Sequence, residues 1–183
     1  MPIPEPMSKP ADEQLWTWVA EVSDPEIPVL SITDLGIVRA IDWQDGSCEV
    51  TITPTYSGCP AMQVIEDNIK VVLQQHGVTA VVRTVLSPAW TTDWITASGR
   101  SKLQAYGIAP PAARAPDHVQ PSAPVDTRQV NVSALFARRD ESIACPQCGS
   151  LNTRLVSQFG STACKALYRC ADCLEPFDYF KPH

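Results

Sequence analysis

The sequence predicts an α/β (α+β) N-terminal domain, with a β-hairpin and a β–α–β unit, followed by a small C-terminal zinc ribbon. Three observations carry that prediction. Two CxxC pairs, Cys145-Pro-Gln-Cys148 and Cys170-Ala-Asp-Cys173, stand 21 residues apart near the end of the chain. Two alternating apolar runs flank an Asp-Gly pair at 45–46, and a helical pattern then leads into a further β-branched run. Five prolines between Pro110 and Pro124 separate the two regions.

Proline sets the outer boundaries as well. Four of the 17 prolines fall in the first ten residues, so 1–12 is expected to be a disordered lead. Residues 13–107 then form the α/β domain, 108–128 a Pro/Ala-rich linker, and 129–183 the ribbon module. Charge divides in the same way: residues 1–106 carry net −7 and residues 107–183 net +1. An acidic chain of net −6 argues against nucleic-acid binding through a basic surface. No apolar run approaches the ~18 residues of a membrane span, and the first residues lack a signal peptide's cationic start and apolar core. A cytoplasmic protein with reduced thiols is expected, in which paired cysteines hold metal.

Each element has a local cause. EQLWTWVAEV (13–22) places Leu15, Val19 and Val22 on one helical stripe. In the hairpin, GIVRAIDW and SCEVTIT pair so that Trp43 faces Cys48 and Ile41 faces Val50. Pro60 opens a helix whose Met62, Ile65, Ile69, Val72 and Leu73 repeat at helical spacing, and Gly77 stops it. VTAVVRTVL reads as a third strand, parallel to the second through a right-handed crossover, and residues 91–107 as a last helix. Three loops, 23–36, 54–61 and 87–92, should then meet at the carboxyl end of the parallel strands, where chemistry is favoured.

The seven cysteines sort by context. Cys145, Cys148, Cys170 and Cys173 suit tetrahedral Zn²⁺, with TRLVSQF and KALYRC as strands between the knuckles and Gly149 supplying unusual backbone angles. Iron or an iron–sulfur cluster is the alternative occupant of four thiolates. Cys48 shares a strand face with Val50 and Ile52 and reads as core. Cys59 precedes Pro60 at the start of a helix, where dipole and amides favour a thiolate; Thr55, Tyr56 and Ser57 add hydroxyls. Its bland reading is a cysteine that only caps the helix. Cys164 is the ribbon's spare thiol, filling a strand face or contacting a partner, and its nearness to the 160–162 turn predicts exposure. Asp24, Glu26 and Asp34 offer oxygen ligands near Cys59, with turn capping the alternative for Asp24. His76 falls at the far end of the long helix, so no Cys/His triad assembles around Cys59. Trp90 and Trp94 either border a pocket or pack the last helix.

DPEIPVLSITDLGIVR, TPTYSGCPAM, SPAWTTDWI and FGSTACKALYRCADCLEPFDYFKPH, in that order, resemble the PaaD (PaaJ) family of bacterial phenylacetate degradation. The N-terminal part is similar to the wider iron–sulfur-assembly domain family that includes SufT. The likeness covers roughly residues 13–106 and 143–183. It implies an accessory, non-catalytic component of the ring-1,2-phenylacetyl-CoA epoxidase system, whose partners are a di-iron oxygenase and a reductase carrying flavin and a [2Fe–2S] cluster. The implied role is assisting iron–sulfur or iron-centre maturation; a non-catalytic docking component of the complex is the alternative. The family's D-P-E stretch falls on Asp24, Pro25 and Glu26, its loop cysteine on Cys59, and its ribbon cysteines on Cys145, Cys148, Cys170 and Cys173. Some members close with a further cysteine where this chain reads Lys181-Pro182-His183. Cys59 and Cys164 are therefore the expected transfer thiols for transient iron or a cluster. A homodimer pairing two Cys59 residues, or Cys59 with Cys164, would enlarge the ligand set.

Overall fold

The computed structural model describes residues 9–44, 46–111 and 143–182. The first eight residues of the expected lead, most of the linker, and the start of the ribbon module to residue 142 lie outside the described residues.

Helix α1 (Asp12–Val19) buries Leu15 and Val19, and stops three residues earlier than its apolar stripe predicts. Val22 still packs in the core, held on a turn by its amide on the Val19 carbonyl. Strands β1 (Val38–Gln44) and β2 (Ser47–Ile52) form the expected hairpin, with Trp43 opposite Cys48 and Ile41 opposite Val50. Helix α2 (Ala61–Gln75) begins after Pro60, buries Ala61, Ile65, Ile69 and Leu73, and ends before Gly77 at φ +79°. Strand β3 (Ala80–Thr84) pairs with β2 in parallel, completing a sheet of order β1-β2-β3. The hairpin and the β–α–β unit therefore stand as read from the sequence.

The expected helix over 91–107 is broken in two. A 3₁₀ turn at Thr92–Trp94 precedes helix α3 (Ala97–Tyr106), because Thr96 accepts the Gly99 amide at 2.9 Å and restarts the helix as its N-cap. The 23–36 loop is pinned against this break. Gly36 adopts φ +69°, and a Cβ there would lie 2.5 Å from the Trp94 carbonyl oxygen and 2.7 Å from its Cβ. Gly36→Ala combines left-handed backbone with overpacking and should destabilise the domain by about 2–4 kcal/mol. A urea melt with an unchanged midpoint would contradict that placement.

The linker does not begin at 108. Residues Ile108–Ala109 form strand β4, which pairs in parallel with β7 (Pro176–Phe180) of the ribbon. With β5 (Thr153–Ser157) and β6 (Lys165–Cys170), they make a second sheet of order β4-β7-β6-β5. The ribbon thus has a third strand of its own, absent from the two-strand reading. Its Phe180 is 1% exposed and, with Cys164, belongs to the core of the N-terminal domain, where it meets Trp90 at a ring separation of 6.1 Å. A smaller core of Ile143, Ala166, Phe177 and Tyr179 lies behind the ribbon cysteines. Among the described residues, no helix is long and apolar enough to cross a membrane.

Candidate metal centres

The two CxxC knuckles converge. The Sγ atoms of Cys145, Cys148, Cys170 and Cys173 all lie within 4.8 Å of one another, with Cys145–Cys173 at 3.7 Å and Cys148–Cys170 at 3.6 Å. A tetrahedral zinc with Zn–S bonds near 2.3 Å requires sulfur–sulfur edges of about 3.8 Å, so the donor set fits that ion. Backbone amides of Ser150, Cys173 and Asp172, and Glu175 approach the sulfurs of Cys148, Cys170 and Cys173. Gly149 (φ +74°) makes the first knuckle as expected, while Leu174 (φ +67°) takes the left-handed position in the second. Asp172 ties the knuckles together through Ser150 and through Asn152 Nδ2 at 2.8 Å. Zinc here would supply cross-linking rather than chemistry, because four thiolates leave no open position.

A second cluster forms where the 23–36 loop, the 54–61 loop and the ribbon meet. Asp24 Oδ1 accepts the amides of Glu26 and Ile27, both at 2.8 Å, which fixes the Asp-Pro-Glu turn and makes Asp24 a turn cap. Burial nonetheless pushes its carboxyl above the usual range, with the two amides and Lys165 pulling the other way. The same turn presents Glu26, whose Oε2 accepts from Cys164 Sγ at 3.7 Å. Cys164 also pairs with the Thr162 hydroxyl at 3.0 Å. It is 5% exposed, contrary to the exposure expected of it, because docking of β7 seals it against the N-terminal domain.

Cys59 lies half-buried on the 54–61 loop, with Pro60 rather than Cys59 at the N-cap of α2. Burial pushes its thiol up, and Glu26 and Asp24 add to that shift; the Ala61 amide and the Thr55 side chain oppose it. The thiolate-favouring helix start is therefore outweighed by desolvation and two carboxylates. Cys164 is shifted upward for the same leading reason, burial, and again by Glu26 and Asp24. Burial raises the Tyr56 phenol, and the nearby Cys59, Glu26 and Cys164 add to that shift. The fold thus sets the ribbon's Cys164 against Glu26 and brings Cys59 within reach of the same carboxylate's charge. Sequence reasoning separated them by a linker.

The other candidates are placed elsewhere or otherwise engaged. Asp34 serves the scaffold: although partial burial works the other way, Lys102 at 2.6 Å and Thr96 at 3.1 Å hold its carboxyl below the ordinary range. Ser57 is exposed, and with Thr55, Tyr56 and Trp90 it borders a cavity of about 130 Å³ behind the loop. Trp90 donates to the Leu35 carbonyl at 2.9 Å, and Arg39 lies 3.4 Å over the Trp94 ring, so both tryptophans brace loops. Cys48 is core, its thiol pushed up to about 11 by burial. His76 caps α2 and stacks on Trp18 at 4.3 Å. Lys165 was missed by sequence reasoning. It is 5% exposed and lies beside Cys164, 3.5 Å from Asp178. Only the unforeseen β7 would have revealed it.

Comparison with known proteins agrees with both halves. Residues 12–85 match the family model of an iron–sulfur cluster assembly protein, and residues 130–181 that of the PaaD zinc beta ribbon domain. Over 176 residues, 96% of this chain, the sequence is 43% identical to an Escherichia coli (strain K12) protein provisionally named as a 1,2-phenylacetyl-CoA epoxidase subunit, covering 95% of it. The N-terminal half is 33% identical over 90 residues to the Fe-S protein maturation auxiliary factor YitW of Bacillus subtilis (strain 168), 48% of this chain and 87% of that one. It is also 37% identical over 78 residues to the Fe-S protein maturation auxiliary factor SufT of Staphylococcus aureus (strain USA300), 41% of this chain and 88% of that one.

Proposed function

The chain belongs to the PaaD family of phenylacetyl-CoA epoxidase components, with an iron–sulfur-assembly domain and a zinc ribbon in one polypeptide, and we propose that it is a cytoplasmic, non-catalytic factor that helps mature the iron–sulfur or iron centre of that multicomponent epoxidase. The observation that supports this reading is the 3.7 Å contact of ribbon Cys164 with Glu26 of the Asp-Pro-Glu turn, with Cys59 close enough to feel the charges of Glu26 and Asp24. Its partners are the oxygenase and reductase components, and iron or a cluster is the cargo. Zinc in the ribbon is structural and holds the module that carries Cys164.

The chemistry asked of the chain's own residues is modest. Cys59 and Cys164 stay protonated while empty, which protects them from oxidation and mispairing. Each gives up its proton when a cation arrives, since the deprotonated sulfur is the ligand. Glu26 Oε2, already accepting from Cys164, is placed to hold that proton first. No histidine base stands by Cys59 among the described residues, which speaks against use of the thiol as an enzymatic nucleophile.

A docking role is the second reading, favoured by Leu155, Val156 and Phe159, all exposed on or beside the ribbon's edge strand β5. Co-expression separates the two. The oxygenase and reductase are produced with the wild-type chain or with Cys59→Ala, then purified, and their iron, sulfide and phenylacetyl-CoA epoxidation measured. The maturation role predicts a loss at least as large as the ~10-fold typical of disturbing a ligand's outer-shell partner. Full activity with Cys59→Ala, together with co-purification in fixed stoichiometry, would establish docking instead.

A further inference from the structure

We propose that the chain forms a two-fold dimer, in which Arg154 and Arg169 of each ribbon seat on Asp42 and Glu49 of the other copy's N-terminal sheet. Strand register creates both pairs. In the ribbon, Arg154 of β5 stands directly opposite Arg169 of β6. In the N-terminal sheet, Asp42 of β1 stands directly opposite Glu49 of β2. Like charges facing each other across neighbouring strands destabilise a sheet, and here they do so twice, with opposite signs. Among the described residues, none of these four side chains is in an ion pair.

Both pairs lie on surfaces that the fold leaves open. Cys48, Val50 and Ile52 turn one face of β2 into the core shared with Ile65 and Ile69, so Glu49 points the other way. Opposite Glu49 on β3 is Val81, which is 52% exposed. Asp42, Glu49 and Val81 thus make an acidic patch with an apolar edge. Arg83, on the next rung, joins neither carboxylate in an ion pair. On the ribbon, Arg154 and Arg169 line an open cleft of about 230 Å³ with Leu174, which is 60% exposed. Arg169 Nε donates to the Leu174 carbonyl at 3.2 Å, which fixes the guanidinium beside that side chain. This second patch is cationic with an apolar edge, the complement of the first.

One copy does not make the match by itself. Strands β5 and β6 touch each other and β7, whereas β1 and β2 touch each other, β3 and α1. A nucleic acid would suit only the arginine half, and a chain of net −6 repels it. A second copy supplies both halves at once. A two-fold axis carries each ribbon to the other copy's sheet and leaves neither patch unmatched. Guanidinium forks then meet carboxylates in planar, two-bond geometry. The interface uses neither Cys59 nor Cys164, and it stands whether or not the chain serves an iron centre.

Sedimentation velocity on the full-length, zinc-loaded chain under reducing conditions tests the dimer. At about 100 µM chain and 0.1 M salt, wild type should run as a dimer; at about 1 M, where the screening length falls from ~10 to ~3 Å, association should weaken at least ~10-fold. Arg154→Glu with Arg169→Glu, or Asp42→Lys with Glu49→Lys, should each weaken it by about 100-fold or more, because like patches then meet. Mixing the two double variants should restore a 1:1 dimer, since the acidic ribbon of one fits the basic sheet of the other, and conversely. Where a reversed variant fails to fold, Arg154→Gln with Arg169→Gln replaces it and should weaken association about 10-fold. A monomeric wild type in low salt, a dimer indifferent to these changes, or a mixture of folded variants that stays monomeric would overturn the proposal. Species larger than two chains would overturn it too, since they require an open head-to-tail contact. So would a monomeric chain whose arginine variant loses co-purification with the epoxidase components, which would assign the cationic patch to another protein.

Discussion

Cys170→Ser will unfold the ribbon, not merely weaken its grip on a metal. The module's own core is small, built from Ala109, Ile143, Ala166, Phe177 and Tyr179 beside the ligand cysteines. A structural zinc supplies on the order of 10–16 kcal/mol of apparent folding energy in modules of this size, far more than the ribbon core can replace. Removing one of four thiolates opens the tetrahedron and withdraws most of that energy. The expected readouts are loss of amide protection throughout β5–β7, loss of bound zinc, and cooperative melting of the same segment in wild type when a strong chelator is added. Retained protection in the zinc-free chain would refute the assignment of a structural ion.

The same site fixes a pH dependence. In the absence of an ion the amides of Cys173 and Asp172 hold the Cys170 thiol down to about 7; although the Glu175 amide opposes it, desolvation and the neighbouring thiols push Cys173 up to about 12. Metal binding must therefore expel protons, and affinity falls as pH falls. Acidification below neutrality should release zinc progressively to a chromophoric chelator. Release that is flat with pH would contradict thiolate ligation.

Phe180→Ala should uncouple the two modules without touching a ligand. A fully buried phenylalanine truncated in a core costs about 3–5 kcal/mol, and this ring belongs to the core of the N-terminal domain while its backbone belongs to the ribbon. Two signals are expected together. The urea midpoint of the N-terminal domain falls, and Cys164 becomes reactive towards a thiol reagent while Cys48 stays silent. Should the midpoint drop with Cys164 still shielded, the junction is held by β4 and β7 pairing alone.

Local order was legible because it rests on short-range chemistry. The Asp-Gly signal in the sequence predicted the register that pairs Trp43 with Cys48, and Pro60 and Gly77 bracketed α2 to within a residue. CxxC spacing picked out the four ribbon thiols that converge, since a four-residue knuckle needs no distant partner. What escaped was everything decided across the chain. Two residues of β4 carry no periodicity, yet their pairing with β7 docks the ribbon. Cys164 follows a polar turn and looks exposed until Phe180 and Glu26 close over it. Cys59 has the backbone position of an acidic thiol; only the fold buries it, which reverses that, with Glu26 and Asp24 adding to the shift.

The placement of Phe180 also sets a clock on synthesis. The ribosome delivers Cys59 and its loop well before it delivers the strand that finishes the surrounding core. At translation rates of 5–20 residues per second, the interval is on the order of ten seconds. During it, the nascent N-terminal segment has its loop cysteine but neither Cys164 nor the seal around Glu26. The half-made chain cannot present the full set of groups, and a prematurely terminated one never will. On the maturation role proposed above, completion of the polypeptide is a checkpoint on competence.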